Sequence, residues 1–554
     1  MRKILEEIKK EKEVIFEAIA IFLIAIFCYS IAPKTFQNDT YYTVSIGNLI
    51  LENGIDMKDH FSWHEDLPYT YPHWLFDVIT SLIYRLGGWG AIYITVCLMS
   101  VILGITIYSV NENLTKSKVI SFLITTGAMY LLKDYIAARA QLVTFLIYMI
   151  VIYCIEKLLE NPKKIRYSAT IIISSILIAN LHVAVWPFLF VISLPYIAEY
   201  IIACIADIVI YKKISILFKK IQLKHCKNNE TKKADINQSI EEICKKNEKI
   251  KKVREEQEPY KIRMKKNKNT KWLILIMIIC GLTGLLTPLK ETPYTYLYKT
   301  MIGNTTQNIN EHLPLTLINN IPIMATIIIV IALITFTKVK IRLSDLFMLG
   351  GLTYLMFSSK RQSTMFVLIG SIILNRMIME AIEIYSEHRT KELSLKLINI
   401  LTIFILSAGT IYFSTENIKK KKDNKYVNES TYPVQAADWM LENLDVNNIK
   451  LFNEYNYGSY LLFKGIPVFI DSRADLYAPQ FNKTEETEGK DIFMDFINTS
   501  SIGRYYGTTF KKYGITHVIL YKNSKISMLI DKADSDKYNK IYSDDYFVIY
   551  EVIQ

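Results

Sequence analysis

Long apolar runs recur along the chain as far as Phe413, separated by shorter polar segments. Runs such as AIAIFLIAIFCYSIA and IYITVCLMSVILGITIYSV approach or reach the ~20 residues that cross a hydrocarbon core. Backbone groups in lipid must bond within their own segment, so these runs predict helices. The pattern predicts eleven membrane spans, at Val14–Ala32, Trp89–Val110, Lys118–Leu132, Leu142–Leu159, Ala169–Leu181, Val183–Ile210, Trp272–Thr287, Ile321–Phe336, Leu343–Phe357, Ser363–Ile378 and Leu397–Phe413.

One further segment, His73–Leu86, is either a twelfth span or an amphipathic helix lying in the membrane interface. It is short, contains Asp77 and Arg85, and is followed by Gly87-Gly88. If it lies on the outer surface, every inside segment carries Lys or Arg, as the positive-inside rule requires. We therefore expect eleven spans, a cytoplasmic N-terminus and an extracytoplasmic C-terminal domain.

From Thr415 onward the hydrophobic period changes. QAADWMLENL has helical spacing, whereas KLFN, PVFI, HVILY and YFVIYEV are short runs typical of strands. This alternation predicts a small α/β domain at residues 415–554, after a membrane domain at 1–414. Within the membrane domain, the first outer loop covers 33–88 and a basic cytoplasmic loop covers 211–271. The lysine cluster Lys419–Lys425 is interpreted as the linker, and it is the one basic stretch that opposes the predicted orientation.

The charge of the chain lies mainly in that basic loop. The 554 residues carry a formal net charge of +12, and residues 211–271 hold 20 Lys and Arg against 8 acids. The loop shows no aromatic interleaving and no nucleic-acid-binding pattern, so anionic membrane lipids are its expected partner and nucleic acid is not. None of the seven cysteines has metal-ligand spacing.

Polar residues collect at the predicted outer face, where charged groups at membrane depth are usually functional. Their number favours a site there, although any single one could be an ordinary loop charge. The set is Asp39, His60, His64, Glu65, His73, Asp134, Arg139, His182, Lys290, Glu291, Glu311, His312, Lys360 and Arg361.

The first outer loop, QNDTYYTVSIGNLILENGIDMKDHFSWHEDLPYTYPHWLFDVI, resembles that of the GT-C glycosyltransferase superfamily. The similarity is strongest to a bacterial branch that is similar to protein mannosyltransferases. It extends, in order, through ARAQLVTFL, ANLHVAVW, LLTPLKETPY, INEHLP and SSKRQSTMFVL. Such enzymes span the membrane many times and use lipid-phosphate-linked sugars as donors.

The resemblance implies that Asp39 is the catalytic base or a metal ligand. The alternative is that Asp39 is a helix N-cap, since Asp-Thr precedes a helical pattern. No second carboxylate forms a pair beside it, so a divalent cation is left as an open possibility and the cofactor as unknown. By predicted side and chemistry, the candidates for the donor phosphate are Arg139, His182, Lys290, Lys360 and Arg361. Possible acceptor or metal contacts are His60, His64, Glu65 and Glu311.

The stretch FNEYNYGSYLLFKGIPVFIDSRADLY resembles the same bacterial group and, more distantly, the acceptor-reading motif of oligosaccharyltransferases. The motif's tryptophans are Tyr455 and Asn456 here, so peptide reading is not carried over. We favour a structural interpretation, with Gly458 in a turn and Asp471 and Arg473 as a loop ion pair. The functional alternative places Asp471, Arg473 and Asp475 along a groove that faces the membrane site.

The expected function is transfer of a sugar from a polyprenyl-phosphate-linked donor to an extracytoplasmic glycan, lipid or protein. A transporter or flippase for a lipid-linked glycan and a non-catalytic envelope-assembly protein are the alternatives. Transporters often show inverted repeats with broken helices, and the sequence has no such symmetry, which favours the enzyme.

The predicted orientation can be tested by labelling cysteines in intact cells. After Cys226 and Cys244 are replaced, Ile240→Cys in the basic loop should resist an impermeant thiol reagent because it faces the cytoplasm. Thr487→Cys in the C-terminal domain should react with the same reagent. The reverse pattern would invert the topology and remove the outer-face site.

Overall fold

A computed structural model of the protein describes residues 2–210, 212–226, 230–257, 261–386, 392–484 and 488–553. The labelling position Thr487 therefore lies outside the described residues.

Seventeen helices and one short strand pair form the part of the described chain that precedes residue 423. The helices are α1 (Arg2–Ile31), α2 (Asn38–Asn53), α3 (Trp74–Thr115), α4 (Lys118–Leu132), α5 (Ala140–Glu160), α6 (Ile165–Leu181), α7 (Phe188–Val191), α8 (Leu194–Ile210), α9 (Lys213–His225), α10 (Glu230–Gln257), α11 (Thr270–Thr283), α12 (Thr292–Ile302), α13 (Thr305–Asn308), α14 (Ile321–Phe336), α15 (Leu343–Ser358), α16 (Ser363–Ser386) and α17 (Glu392–Lys422). Strands β1 (Ile262–Arg263) and β2 (Ile341–Arg342) pair in parallel.

Several of these helices are long and apolar enough to cross a membrane, which indicates a multi-pass membrane protein. Within the described ranges, five segments meet this condition: Val14–Ile31, Trp74–Thr115, Ala140–Glu160, Val183–Ile210 and Lys360–Tyr385. Shorter apolar helices accompany them at Ile165–Leu181, Thr270–Thr283, Ile321–Phe336 and Leu343–Ser358. The number of spans and their orientation remain predictions.

Two of the long apolar segments are broken. Gly87 and Gly88 have non-helical backbone angles inside α3, so Trp74–Leu86 is set apart from the apolar stretch that begins at Trp89. Glycine permits the positive φ of Gly88 without steric cost. Val183–Ile210 is likewise not one helix, because a short 3₁₀ turn and α7 precede α8.

The C-terminal part contains a mixed four-stranded sheet with helices around it. Its helices are α18 (Val434–Asn443), α19 (Tyr455–Phe463), α20 (Pro479–Asn482), α21 (Ile492–Ser500), α22 (Tyr506–Tyr513) and α23 (Lys525–Ala533). Its strands are β3 (Leu451–Phe452), β4 (His517–Tyr521), β5 (Tyr538–Ser543) and β6 (Phe547–Val552). The strand order is β3-β4-β6-β5, with β3 parallel to β4 and the other two pairings antiparallel.

Three local expectations for this region are wrong. PVFI is not a strand of the sheet, because Val468 makes only an isolated bridge with Ser62. Gly458 lies inside α19 and not in a turn. The helix α17 continues to Lys422, through most of the lysine cluster interpreted as a linker. The strand β5 has no counterpart among the predicted strands, because its side chains are largely exposed and lack the expected apolar alternation.

A buried ion cluster fastens the first loop to the C-terminal part. The Arg473 guanidinium donates to Asp471 at 2.9 and 2.7 Å and to Asp59 of the first loop at 2.6 Å. The side chains of Arg473, Asp59 and Asp471 are at most 3% exposed. Removing one member would leave a buried charge without its partner, which is strongly destabilising. The cluster therefore fixes where the loop lies against the sheet domain.

The close packing of α19 against the chain before Arg473 gives a test. A Cβ on Gly458 would overlap the carbonyl oxygen of Ile470. Gly458→Ala should lower the free energy of unfolding by ~1–3 kcal/mol, as overpacking typically does. Gly127→Ala in α4 is the control, because a Cβ there meets nothing within 4 Å. The measurement is the melting temperature of each purified variant. Equal melting temperatures for Gly458→Ala and Gly127→Ala would show that α19 is packed differently.

Candidate active site

Two large cavities flank the start of α2, where the helical bundle meets the C-terminal part. The first measures about 970 Å³ and the second about 1010 Å³. The first cavity is lined by residues from the first loop, several helix ends and the C-terminal part, including Asp39, Tyr42, His73, Arg139, His182, Tyr296, Glu311, His312, Arg361, Tyr455, Arg473 and Asp475. Six residues line both cavities: Asn38, Arg139, Ile309, Glu311, Tyr455 and Asn456.

Asp39 lies in the first turn of α2 and is not its N-cap. The N-cap is Gln37, whose side chain makes no capping bond. The capping alternative for Asp39 is therefore wrong. An acid in a first turn is favoured by the helix dipole. Its position is fixed by its neighbours, because Asn38 donates to the carbonyl of Tyr455 at 2.8 Å and Phe36 N–H donates to that of Tyr426 at 3.0 Å.

A chain of ion pairs crosses the site. Arg139 Nη2 lies 2.8 Å from Asp39 Oδ2, and Arg139 Nη1 lies 3.2 Å from Glu311 Oε2. Arg361 Nη1 lies 3.4 Å from Glu311 Oε1, the longest of the three contacts. The four side chains are only 22–30% exposed. One guanidinium thus holds carboxylates from two loops that are far apart in sequence.

The two arginines control the charge of Glu311. Burial opposes its ionisation, but Arg361 and Arg139 outweigh burial and hold the pKa of Glu311 at about 2. Burial lowers the pKa of the neighbouring His312 to about 4, and the positive charge of Arg361 acts in the same direction. Near neutral pH the loop therefore presents an ionised Glu311 beside a neutral His312.

Two histidines form a second polar group on the first cavity. The rings of His73 and His182 lie 4.9 Å apart between centroids. His182 is buried, and its Nδ1 lies 3.4 Å from the Thr144 hydroxyl. His73 is the N-cap of α3 and His182 is the C-cap of α6, so helix ends place both histidines on the lining of the first cavity.

The five candidates for donor-phosphate binding do not all lie in the same cavity. Lys360 lines only the second cavity, where its carbonyl accepts a hydrogen bond from Tyr135 at 3.1 Å. Lys290 is exposed, with a positive φ, and lines neither cavity. Only Arg139, His182 and Arg361 of this group line the first cavity.

The three candidates of the first loop line neither cavity, and of the three His64 contacts the C-terminal part. His60 pairs with Asp56 at 2.6 Å. His64 Nε2 lies 2.9 Å from the carbonyl oxygen of Phe469, and burial lowers the pKa of His64 to about 4. Glu65 is exposed. Glu311, by contrast, lines both cavities.

Several lining residues have no assigned role in the sequence interpretation. Asn38, Tyr455 and Asn456 contribute to both cavities, and Tyr296 donates to Asp475 at 2.6 Å in the first. Burial raises the pKa of Asp475, against the hydrogen bonds from Tyr296 and Thr305. For Tyr455, Asn456 and Asp475, the one signal was the EYNYGSY and DSRAD stretches, which follow each other closely in the sequence.

The carboxylates of the site do not fit a divalent cation. Arg139 binds Asp39, and both oxygens of Glu311 contact guanidinium groups, so their negative charge is already neutralised. Among the residues that the structure describes, no three His, Cys, Asp or Glu side chains come together as a set of metal ligands.

Comparison with known proteins shows a similarity of fold. No family model matches the sequence, and no curated protein matches it. The crystal structure of the Archaeoglobus fulgidus oligosaccharyltransferase in the apo form is similar, with a TM-score of 0.52 and 11% sequence identity. The match covers 92% of this chain and 69% of that chain. The chain therefore has a fold similar to that of this oligosaccharyltransferase, with a largely helical part that contains long apolar helices and a small mixed sheet at its C-terminus.

The second cavity carries an acid whose charge can be tested. Burial raises the pKa of Glu454 from 4.5 to about 7. Between these values the folded protein retains a proton that the unfolded chain releases, so the free energy of unfolding falls as pH rises through this window. Glu454→Gln should flatten the pH dependence of the melting temperature between pH 5 and 8 and raise stability most at pH 8.

The matched control is Glu442→Gln, because Glu442 is exposed on α18. This variant should keep the wild-type pH profile. If Glu454→Gln and Glu442→Gln give the same profile, Glu454 is ionised at neutral pH and the second cavity carries an extra negative charge.

Proposed function

We propose that the protein is a membrane glycosyltransferase that moves a sugar from a polyprenyl-phosphate-linked donor to an extracytoplasmic acceptor. The observation that carries this proposal is the first cavity, in which two acids and two guanidinium groups meet on a GT-C-like fold. We further propose the protein-mannosyltransferase-like branch, with the membrane domain at 1–414 and the extracytoplasmic domain at 415–554.

The first cavity suits a lipid-linked phosphate. Exposed apolar side chains contribute to its lining, with Val191 41%, Leu297 38% and Met301 73% exposed. A polyprenyl tail can lie against them in the membrane while its phosphate reaches the polar interior. Arg361 is the best group for that phosphate, because guanidinium binds phosphate through paired hydrogen bonds and its contact with Glu311 is long. Arg139 and His182 are further candidates on the same wall.

Asp39 is proposed as the general base. The acceptor hydroxyl oxygen attacks the anomeric carbon, and its proton passes to the Asp39 carboxylate. The bond between the anomeric carbon and the phosphate oxygen breaks, and its electron pair leaves with the polyprenyl phosphate. Attack from the side opposite the phosphate inverts the anomeric carbon. Arg361 stabilises the charge that develops on the leaving phosphate.

Arg139 is proposed as a positioning residue. Its ion pair with Asp39 orients the carboxylate. Burial lowers the pKa of the Arg139 guanidinium, but the negative charges of Asp39 and Glu311 outweigh burial and raise that pKa. The second hydrogen bond, to Glu311, aligns the loop before α14 with the first loop. Arg139 and Glu311 line both cavities, so an acceptor in the second cavity can also contact them.

The decisive variant is Asp39→Asn, which keeps the shape of the side chain and removes the proton acceptor. Transfer should fall by ~10²–10⁴-fold, which is the usual contribution of a general base. The thermal melt should change little, because Asp39 is not the helix cap and Arg139 keeps its second carboxylate partner, Glu311. The measurement is product formation by purified protein in detergent, supplied with the cell's own polyprenyl-phosphate sugars.

The matched variant is Glu311→Gln, which removes the other carboxylate bound to Arg139. It should reduce transfer much less than Asp39→Asn. Equal losses would mean that Asp39 acts only as an ion-pair partner. An Asp39→Asn variant with full activity would remove the proposed base, and movement of lipid-linked glycan without any transfer product would favour the transporter.

A further inference from the structure

The second cavity is unusually rich in side-chain amides. Seven of its lining residues are Asn or Gln, among them Gln37, Asn38, Asn310, Asn320 and Asn456. They come from three separate parts of the chain: the start of α2, the segment before α14 and the start of α19. The tertiary fold, and not one local motif, therefore assembles this wall.

Amides offer a donor and an acceptor on the same small group, which matches a sugar hydroxyl that is itself both donor and acceptor. Two of them are fixed by backbone contacts, since Asn38 donates to the carbonyl of Tyr455 and Asn320 donates to that of Thr316 at 2.8 Å each. Gln37 Oε1 and Asn38 Oδ1 are buried acceptors that no donor among the described residues satisfies. Unsatisfied buried polar atoms in a native fold call for an explanation, and a bound polar ligand supplies one.

The charges of the second cavity nearly balance. Arg139 and Lys360 offset Asp134 and Glu311, and Glu454 is half-ionised near neutral pH because burial raises its pKa to about 7. A strongly charged acceptor would find no excess of opposite charge on this wall.

The cavity also lacks the usual means of binding an extended peptide. None of its lining residues belongs to a strand of the described sheet, so backbone pairing along a sheet edge does not occur there.

Aromatic rings complete the lining. Tyr455 lies 6.2 Å from Phe493 and 6.5 Å from Phe496 between ring centroids, and all three residues line the second cavity. The faces of sugar rings carry C–H groups that pack on aromatic surfaces, while their hydroxyls point to the sides. The aromatic rings can therefore pack on the faces of a neutral sugar, while the surrounding amides form hydrogen bonds with its hydroxyl groups.

We propose that the second cavity binds the acceptor and that the acceptor is a carbohydrate, so that the enzyme forms a sugar-to-sugar linkage. The inference rests on the proposed function, because it assigns the acceptor of the same reaction. Asn38, Arg139 and Glu311 line both cavities, so an acceptor hydroxyl bound on one side lies next to the wall that carries Asp39. The proton of that hydroxyl passes to Asp39 as the new glycosidic bond forms and the phosphate bond breaks.

The first test is linkage analysis by mass spectrometry of envelope glycans, glycoproteins and glycolipids. Cells that carry the wild-type chain are compared with cells that carry Asp39→Asn. The sugar missing from the variant should be found, in the wild type, attached to another sugar residue. Attachment to Ser or Thr of a protein, or to a lipid headgroup, would overturn the carbohydrate acceptor while leaving the glycosyltransferase intact. If no sugar is missing, both proposals fail.

The second test uses the unmodified glycan from the Asp39→Asn cells as the acceptor probe for purified protein. Asn310→Ala and Asn320→Ala should each raise the acceptor KM by roughly three- to tenfold, the effect of one lost hydrogen bond. The donor KM should not change, because neither residue lines the first cavity. Asn443→Ala is the control, since Asn443 is exposed on α18 and lines neither cavity. A raised donor KM with an unchanged acceptor KM would overturn the assignment of the second cavity.

Discussion

The ion pair between Arg139 and Asp39 is the contact on which the candidate site depends. It joins the start of α2 to the start of α5, and the same guanidinium reaches Glu311 in the segment before α14. The Arg139 guanidinium thus connects three separate segments of the chain. Because the side chains are mostly buried, the loss of Arg139 would leave the Asp39 carboxylate without this ion-pair partner. The wall between the two cavities follows from this arrangement.

The C-terminal part completes both cavities and is held in place independently of Arg139. The Arg473 cluster binds the first loop through Asp59, and Trp63 Nε1 donates to the carbonyl of Leu451 at 2.9 Å. Residues Ser472 to Leu476 then line the first cavity, while Glu454 and Phe493 line the second. The interpretation of Asp471 and Arg473 as a structural pair describes their contacts well. Their neighbour Asp475 nevertheless faces the first cavity, as the groove alternative expected.

Local apolar patterns predicted much of the helical part, because a helix in lipid needs only a continuous apolar run. The predicted spans Lys118–Leu132 and Ile321–Phe336 have the bounds of α4 and α14. The break at Gly87-Gly88 was also visible in the sequence, since glycine readily takes the positive φ found at Gly88. The hydrophobic pattern gave the wrong local structure at Gly458 and PVFI. There the conformation depends on close contacts with segments distant in sequence, and such contacts produce no periodic pattern in the local sequence.

The candidate site was predictable only one residue at a time. Asp39, Arg139 and Arg361 could be proposed from charge at a predicted membrane face, but their ion pairs depend on folding. Asn38 and Tyr455 are 417 positions apart and share both cavities, and no spacing in the sequence could bring them together. Lys290 and Lys360 satisfied the same sequence criterion as Arg361 and lie elsewhere. The choice among such cations therefore requires the three-dimensional arrangement.

The most direct test of the account is an experimental structure of the protein with polyprenyl phosphate, the carrier left after transfer. The account predicts that the phosphate lies in the first cavity, within hydrogen-bonding distance of the Arg361 guanidinium, with the tail against Leu297 and Met301. Asp39 should remain paired with Arg139. A phosphate bound at Lys290, or in the second cavity beside Lys360, would contradict the assignment of donor and acceptor sites.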